Sequence, residues 1–124
     1  MNKMNLKIWK YAGLLALALL TSFSFARRDD ATPAQVIELK AKRFAFAPGE
    51  ITLKKGQPVL LRLSTDDVTH GLYLKQLKID ALIDPGKVSE VTVTPQQTGK
   101  FVAICDHFCG SGHGNMHLIV NVVE

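Results

Sequence analysis

Six side chains able to ligate a soft metal fall in one short stretch: Cys105, His107, Cys109, His113, Met116 and His117. They include both cysteines of the chain, three of its four histidines and the only methionine beyond position 4. The fourth histidine, His70, stands far upstream. Thiolates, imidazoles and a thioether are soft or borderline donors, which suit copper and do not suit calcium or magnesium. Zinc accepts thiolate and imidazole but leaves the methionine without a role. An iron–sulfur cluster takes four cysteines, or two with two histidines, and also leaves Met116 idle. A Cys105–Cys109 disulfide is the purely structural alternative. Closing so short a loop restricts the unfolded chain little, and it would leave His113 and Met116 unexplained.

Spacing narrows the chemistry. A single-copper blue site needs one Cys, two His and a weak axial Met, and Cys109, His113, His70 and Met116 can supply it with Cys105 spare. The second cysteine, four residues before the first on the same loop, allows more. Two thiolates so placed can both bridge a pair of copper ions, each of which then needs its own imidazole. His113 can serve one and His70, from a different loop, the other. Met116 adds a weak bond to one copper, and a main-chain carbonyl between the cysteines, that of His107, suits the other. His117 then has no slot and reads as a strand-start histidine, and Asp106 as a solvated acid.

The elements around this loop must be short and extended. No long helical period appears after position 34. The stretch from Val36 to Leu39 alternates with polar neighbours, as do Phe44 and Phe46, Ile51 and Leu53, then Val59, Leu61 and Leu63, then Leu72 and Leu74. Val88, Val91 and Val93 are β-branched, and Pro48-Gly49, Lys55-Gly56 and Pro85-Gly86 break the runs. The apolar stretches at 101–104 and 118–123 flank the ligand-rich loop, and Gly110, Gly112 and Gly114 keep it irregular. About seven short strands separated by regular turns predict an all-β sandwich or barrel.

The start of the chain has a different character. Lys3, Lys7 and Lys10 precede an uncharged apolar run over residues 11–26 that ends in Ser24-Phe25-Ala26, and Arg27, Arg28, Asp29 and Asp30 follow. This is the pattern of a secretory signal, or of an uncleaved anchor helix that also takes in Ile8 and Trp9. The expected organisation is a leader over residues 1–26, a linker over 27–34 and one domain over 35–124, placed outside the cytoplasmic membrane. Any membrane attachment would run through the leader alone. Three of the fifteen basic residues lie in that leader and none of the eleven acids does, so the remainder holds twelve against eleven, a net charge of +1. The alkaline pI is thus largely a property of the leader and gives no reason to expect nucleic acid binding.

Cys-x3-Cys-x3-His-x2-Met, with the upstream Asp67-Val68-Thr69-His70, resembles the binuclear copper A domain of cytochrome c oxidase subunit II, a centre also found in nitrous oxide reductase. Phe44 to Gly56, Lys78-Ile79-Asp80-Ala81 with Pro85-Gly86-Lys87, and Phe101-Val102-Ala103-Ile104 extend the likeness over most of the chain beyond the leader. The resemblance implies a Greek-key cupredoxin barrel or sandwich. It implies two coppers held by His70, Cys105, the His107 carbonyl, Cys109, His113 and Met116. It also implies one-electron transfer, with a c-type cytochrome as donor and a haem-copper oxidase or another reductase as acceptor. Three departures stand out. At most one apolar segment precedes the domain, where oxidase members usually have two helices. His107 replaces the usual Glu, whose side chain touches a second metal. The only tryptophan, Trp9, is in the leader, so the family's Trp-containing docking surface does not carry over. These features point to a free-standing periplasmic relative or a small subunit of a divergent complex. The chain holds no haem or second catalytic metal motif, so it is not an oxidase or reductase by itself. A periplasmic copper chaperone or storage protein is the rival function. Such proteins favour exposed, exchangeable Met- or Cys-rich ligands, whereas one methionine here completes a full donor set.

Overall fold

The computed structural model describes Pro33 and residues 35–124. The expected leader, with the helix expected in it, and all of the linker but Pro33 lie outside the described residues. Within them the chain forms nine strands: β1 Gln35–Lys42, β2 Ala45–Ala47, β3 Glu50–Lys54, β4 Val59–Thr65, β5 His70–Leu74, β6 Ile79–Ile83, β7 Ser89–Val93, β8 Gly99–Ile104 and β9 His117–Val123. The sequence pattern foretells all but β6. Its Ile79, Ala81 and Ile83 have the period of two but follow directly on the left-handed turn at Lys78 (φ 55°), so they read as connecting chain.

The strands form a sandwich of two sheets, ordered β2-β1-β4-β7 and β3-β9-β8-β5-β6. The chain passes repeatedly between the sheets, and for that reason β1 runs parallel to β4 and β3 parallel to β9. Alternation decides what each strand buries. β4 turns Val59, Leu61, Leu63 and Thr65 inward, and β9 turns in Leu118, Val120 and Val122. With Leu39, Leu53, Leu72, Ile79 and Ile83 these form one continuous apolar core. On the outer face of the first sheet, Arg62 of β4 meets Glu38 of β1 at 2.7 Å and Glu90 of β7 at 3.1 Å. Both acids are exposed and Arg62 is half-buried, so the trio reinforces register more than it stabilises.

The same alternation aims three donors at the core. His70 opens β5 on the face shared with Leu72 and Leu74, all of them buried. Cys105 continues the inward parity of Ala103 beyond the end of β8, and Met116 precedes Leu118 on the inward face of β9. Ile104 pairs with His117, and the ladder runs one step further as the Cys105 N–H donates to the Met116 carbonyl at 3.0 Å. Residues 106–115 are therefore a loop tied at its neck by two of the candidate ligands.

Candidate metal centre

Asp67 organises the upstream half of the site. Its Oδ1 accepts from the Val68 N–H at 2.6 Å, the Thr65 hydroxyl at 2.8 Å and His70 Nε2 at 2.7 Å, and its Oδ2 accepts from the Arg43 N–H at 2.7 Å. Partial burial works to raise its pKa, but the Arg43 N–H, His70, the Val68 N–H and Thr65 together outweigh that effect and hold the carboxyl well below the usual carboxylate range. An ionised carboxylate only accepts, so His70 must carry its proton on Nε2. That leaves the Nδ1 lone pair facing Cys105 Sγ at 3.9 Å. The ring itself is wholly buried, at 0% exposure.

The loop supplies the other donors. Cys105 and Cys109 are both free and buried, with their sulfurs 3.9 Å apart. The His107 carbonyl oxygen is 3.2 Å from Cys105 Sγ, while the His107 residue is exposed. A short turn at His113–Asn115, held by the His113 N–H to Gly110 and the Met116 N–H to His113 carbonyl bonds, both 3.1 Å, swings His113 back over the loop. Its Nδ1 comes to 3.8 Å from Cys109 Sγ, and Met116 Sδ lies at the same distance on the buried side. The structure thus brings all six expected residues to one place. His70, Cys105 and Cys109 present donor atoms within 4.8 Å of one another. His117 stays outside, exposed at the start of β9 with its Nδ1 2.9 Å from the Asn115 carbonyl.

The Cys109 thiol is pushed up to about 11, chiefly by burial and then by the neighbouring Cys105. Two thiols in contact resist losing both protons, and a bound cation removes that resistance. Metal–sulfur bonds are about 2.3 Å, so sulfurs 3.9 Å apart can both touch a single ion. The donor set therefore fits a soft ion such as copper.

Several contributors left little trace in the sequence. Arg43 and Phe44, the two residues between β1 and β2, both reach the loop. Arg43 Nε donates to the Cys109 carbonyl at 2.8 Å, and the Phe44 ring packs so closely that a Cβ on Gly112 would overlap it. Gly71, directly after His70, allows Asp106 and the His107 backbone to lie against β5 where any side chain would collide. Beside the loop, Arg43, Val68, Thr69, His107, Phe108 and Cys109 line a shallow cleft of ≈ 220 Å³, at whose rim the Phe108 ring is 74% exposed.

The cupredoxin-like domain model matches residues 13–120. The chain belongs to that family. Among cupredoxins it resembles the copper A domain of cytochrome c oxidase subunit II. It is 32% identical over 81 residues to cytochrome c oxidase subunit 2 of Thermus thermophilus, a match covering 65% of this chain and 60% of that protein. It is 30% identical over 84 residues to the nitrous-oxide reductase of Cupriavidus necator, covering 64% of this chain and 13% of the reductase. The chain thus spans less than two thirds of the length of these relatives. In fold it is similar to the periplasmic domain of subunit II of cytochrome oxidase from Bradyrhizobium japonicum, with a TM-score of 0.69, 18% identity, and coverage of 75% of this chain and 86% of that one. Copper is the metal this cupredoxin kinship implies, and the His70, Cys105 and Cys109 group is the site that fits it. No helix among the described residues is long and apolar enough to cross a membrane.

Proposed function

We propose that this cupredoxin is an exported one-electron carrier whose centre is a pair of copper ions held by His70, Cys105, the His107 carbonyl, Cys109, His113 and Met116. One observation carries the reading. Each of two sulfurs 3.9 Å apart faces an imidazole Nδ1 of its own, His70 at 3.9 Å from Cys105 and His113 at 3.8 Å from Cys109. Two bridging thiolates with one terminal imidazole on each side is the donor count of two metals rather than one. The third donors are equally divided, since the His107 carbonyl lies by Cys105 and Met116 Sδ by Cys109.

Bound copper would supply a one-electron couple. The chain's part is to limit rearrangement when the electron arrives or leaves. Strands β5, β8 and β9 fix His70, Cys105 and Met116 by their backbone ladders, and Asp67 fixes the His70 ring. The donors are buried apart from His113 and the His107 backbone, which would keep water from a bound metal. Burial also argues against the rival role of copper delivery, because a delivery site must present its ligands to a partner for exchange.

The domain proper is proposed to be residues 35–124, with residues 1–26 serving as a signal or anchor. The proposed donor is a c-type cytochrome, with a haem-copper oxidase or another reductase as acceptor. Support comes from the kinship to oxidase subunit II and from the exposed Phe108 at the rim of the centre.

Copper loading tests the centre. The protein is expected to take up two coppers, turn purple and show an electron-spin signal shared by two nuclei. Cys105→Ser is expected to abolish that signal. A single copper with a localised signal would reject the pair in favour of a mononuclear site built on Cys109.

A further inference from the structure

Arg43 has the one cationic side chain, among the described residues, that hydrogen-bonds the candidate centre, and its backbone N–H makes a second tie, to Asp67. β1 and β2 join through residues 43 and 44 alone, with Lys42 paired to Ala45, so this turn is tight, and both of its side chains reach the cysteine loop. The Arg43 backbone N–H is held by Asp67 Oδ2 at 2.7 Å. Its side chain crosses to the other half of the site, where Nε donates to the Cys109 carbonyl at 2.8 Å. Its path runs over Gly110, where a Cβ would lie 3.6 Å from Arg43 Nε and 3.0 Å from the Phe44 ring. One residue thus joins the carboxylate that orients His70 to the main chain of a bridging cysteine.

We propose that Arg43 is a positioning residue for this centre: it ties the cysteine loop to the Asp67–His70 half and, through its charge, favours the reduced state of the bound metal. The proposal rests on the electron-carrier reading above. When the centre accepts one electron from a donor protein its charge falls by one, with no bond to hydrogen made or broken. A fixed cation nearby stabilises that lower charge, and a fixed anion opposes it. The Asp67 carboxyl group lies beside His70, and Arg43 is the cation placed to balance it. Arg43 is exposed, so its charge is partly screened and its influence should weaken as salt is added.

Two substitutions separate charge from hydrogen bonding. Arg43→Lys keeps the charge, and Arg43→Gln removes it; neither alters the backbone N–H that Asp67 uses. In copper-loaded protein at low salt, the midpoint potential is expected to fall in Arg43→Gln and to stay near the wild-type value in Arg43→Lys. The gap should narrow as ionic strength rises. Equal potentials in all three proteins, or a Lys variant that falls as far as the Gln variant, would overturn the electrostatic role. The tie is read in metal-free protein by amide hydrogen exchange. Arg43→Ala should speed exchange at the hydrogen-bonded amides that close the loop, those of Cys105, His113 and Met116, by roughly tenfold, the order expected for losing one charge-assisted hydrogen bond, while the Asp67 and Val68 amides keep their protection. Unchanged exchange in the loop would refute the tie. Because that measurement needs no metal, a wild type that binds a single copper would sink the proposed pair and still leave the tie to be judged on its own.

Discussion

His70 donates its Nε2 proton to Asp67 across 2.7 Å and so presents Nδ1, not Nε2, to Cys105. Asp67 therefore selects both the tautomer and the ring orientation of the buried imidazole. Replacing it by Asn leaves the side chain's size intact but sets an amide NH₂ either against the Arg43 N–H or against the Val68 N–H and His70. Asp67→Asn is expected to weaken copper binding by about 10- to 100-fold, the usual cost of losing the partner that orients a ligating histidine. Metal-free stability should fall by about 1–3 kcal/mol for the donor left unmatched. A competition titration with a copper chelator measures the first and denaturant melts the second. Undiminished affinity would mean that the ring is held by packing alone.

Asp67 also fixes a pH signature. Its folded-state pKa lies below the ordinary value of 3.8, so the stability it contributes is fully present above that ordinary value and is lost as pH falls through the lower, folded value. The metal-free protein should therefore exceed Asp67→Asn in stability by a constant margin above about pH 5. The margin should shrink as the solution becomes strongly acidic. Paired denaturant melts from pH 7 downward test this. A margin independent of pH throughout would show that Asp67 is not ionised in the folded state.

Much of this site is legible in the sequence because its donors sit on simple frames. The strand period places His70, Cys105 and Met116 on inward faces, and the short spacing from Cys109 to His113 confines both to one loop. The β-sandwich follows from the same period. The strand β6 escapes notice because Ile79, Ala81 and Ile83 abut a left-handed turn and blend into connecting chain. Arg43 escapes for a different reason. Its hydrogen-bond partner, Cys109, lies 66 positions away, and only the folded path of the β1–β2 turn across the loop brings them together. A charged residue next to a turn is ordinarily solvated, so neither its type nor its local pattern marks it. Gly71 is similar: its lack of a side chain matters only because Asp106 and His107 approach it from another strand's end.

Copper uptake should depend on pH in the same sense as acid stability, weakening as pH falls. Burial, with Cys105 next to it, pushes the metal-free Cys109 thiol up to about 11, so at neutral pH this thiol is protonated and must release its proton to bind metal. Apparent affinity should rise between about pH 6 and 9, roughly tenfold per pH unit for each proton displaced. In the absence of metal the raised value has the reverse consequence. Its stabilising effect is complete below the ordinary thiol value of 9.0 and is lost as pH climbs through about 11, so the metal-free fold should weaken in alkali. Competition titrations across pH, with metal-free melts above pH 9, check both limbs. A flat affinity profile would show that the thiols are already ionised before metal arrives.

Two histidines four residues apart offer the sharpest contrast in the loop. His113 has its Nδ1 3.8 Å from Cys109 Sγ, whereas His117 is exposed and turns its Nδ1 to the Asn115 carbonyl at 2.9 Å. The turn at His113–Asn115 is built from backbone groups, the His113 N–H among them, so His113→Ala removes an imidazole without removing the turn. The metal-free variant should melt close to the wild type, yet fail to give the spectrum of a copper pair when loaded. His117→Ala should change neither, with stability within about 0.5 kcal/mol of the wild type, as for most surface substitutions. Running both variants through the same copper titration separates a lost ligand from general damage to the loop, since the two positions flank Met116 at the same end of the loop and only one faces a sulfur. A loaded spectrum that survives in His113→Ala but vanishes in His117→Ala would require the loop to refold around a different imidazole.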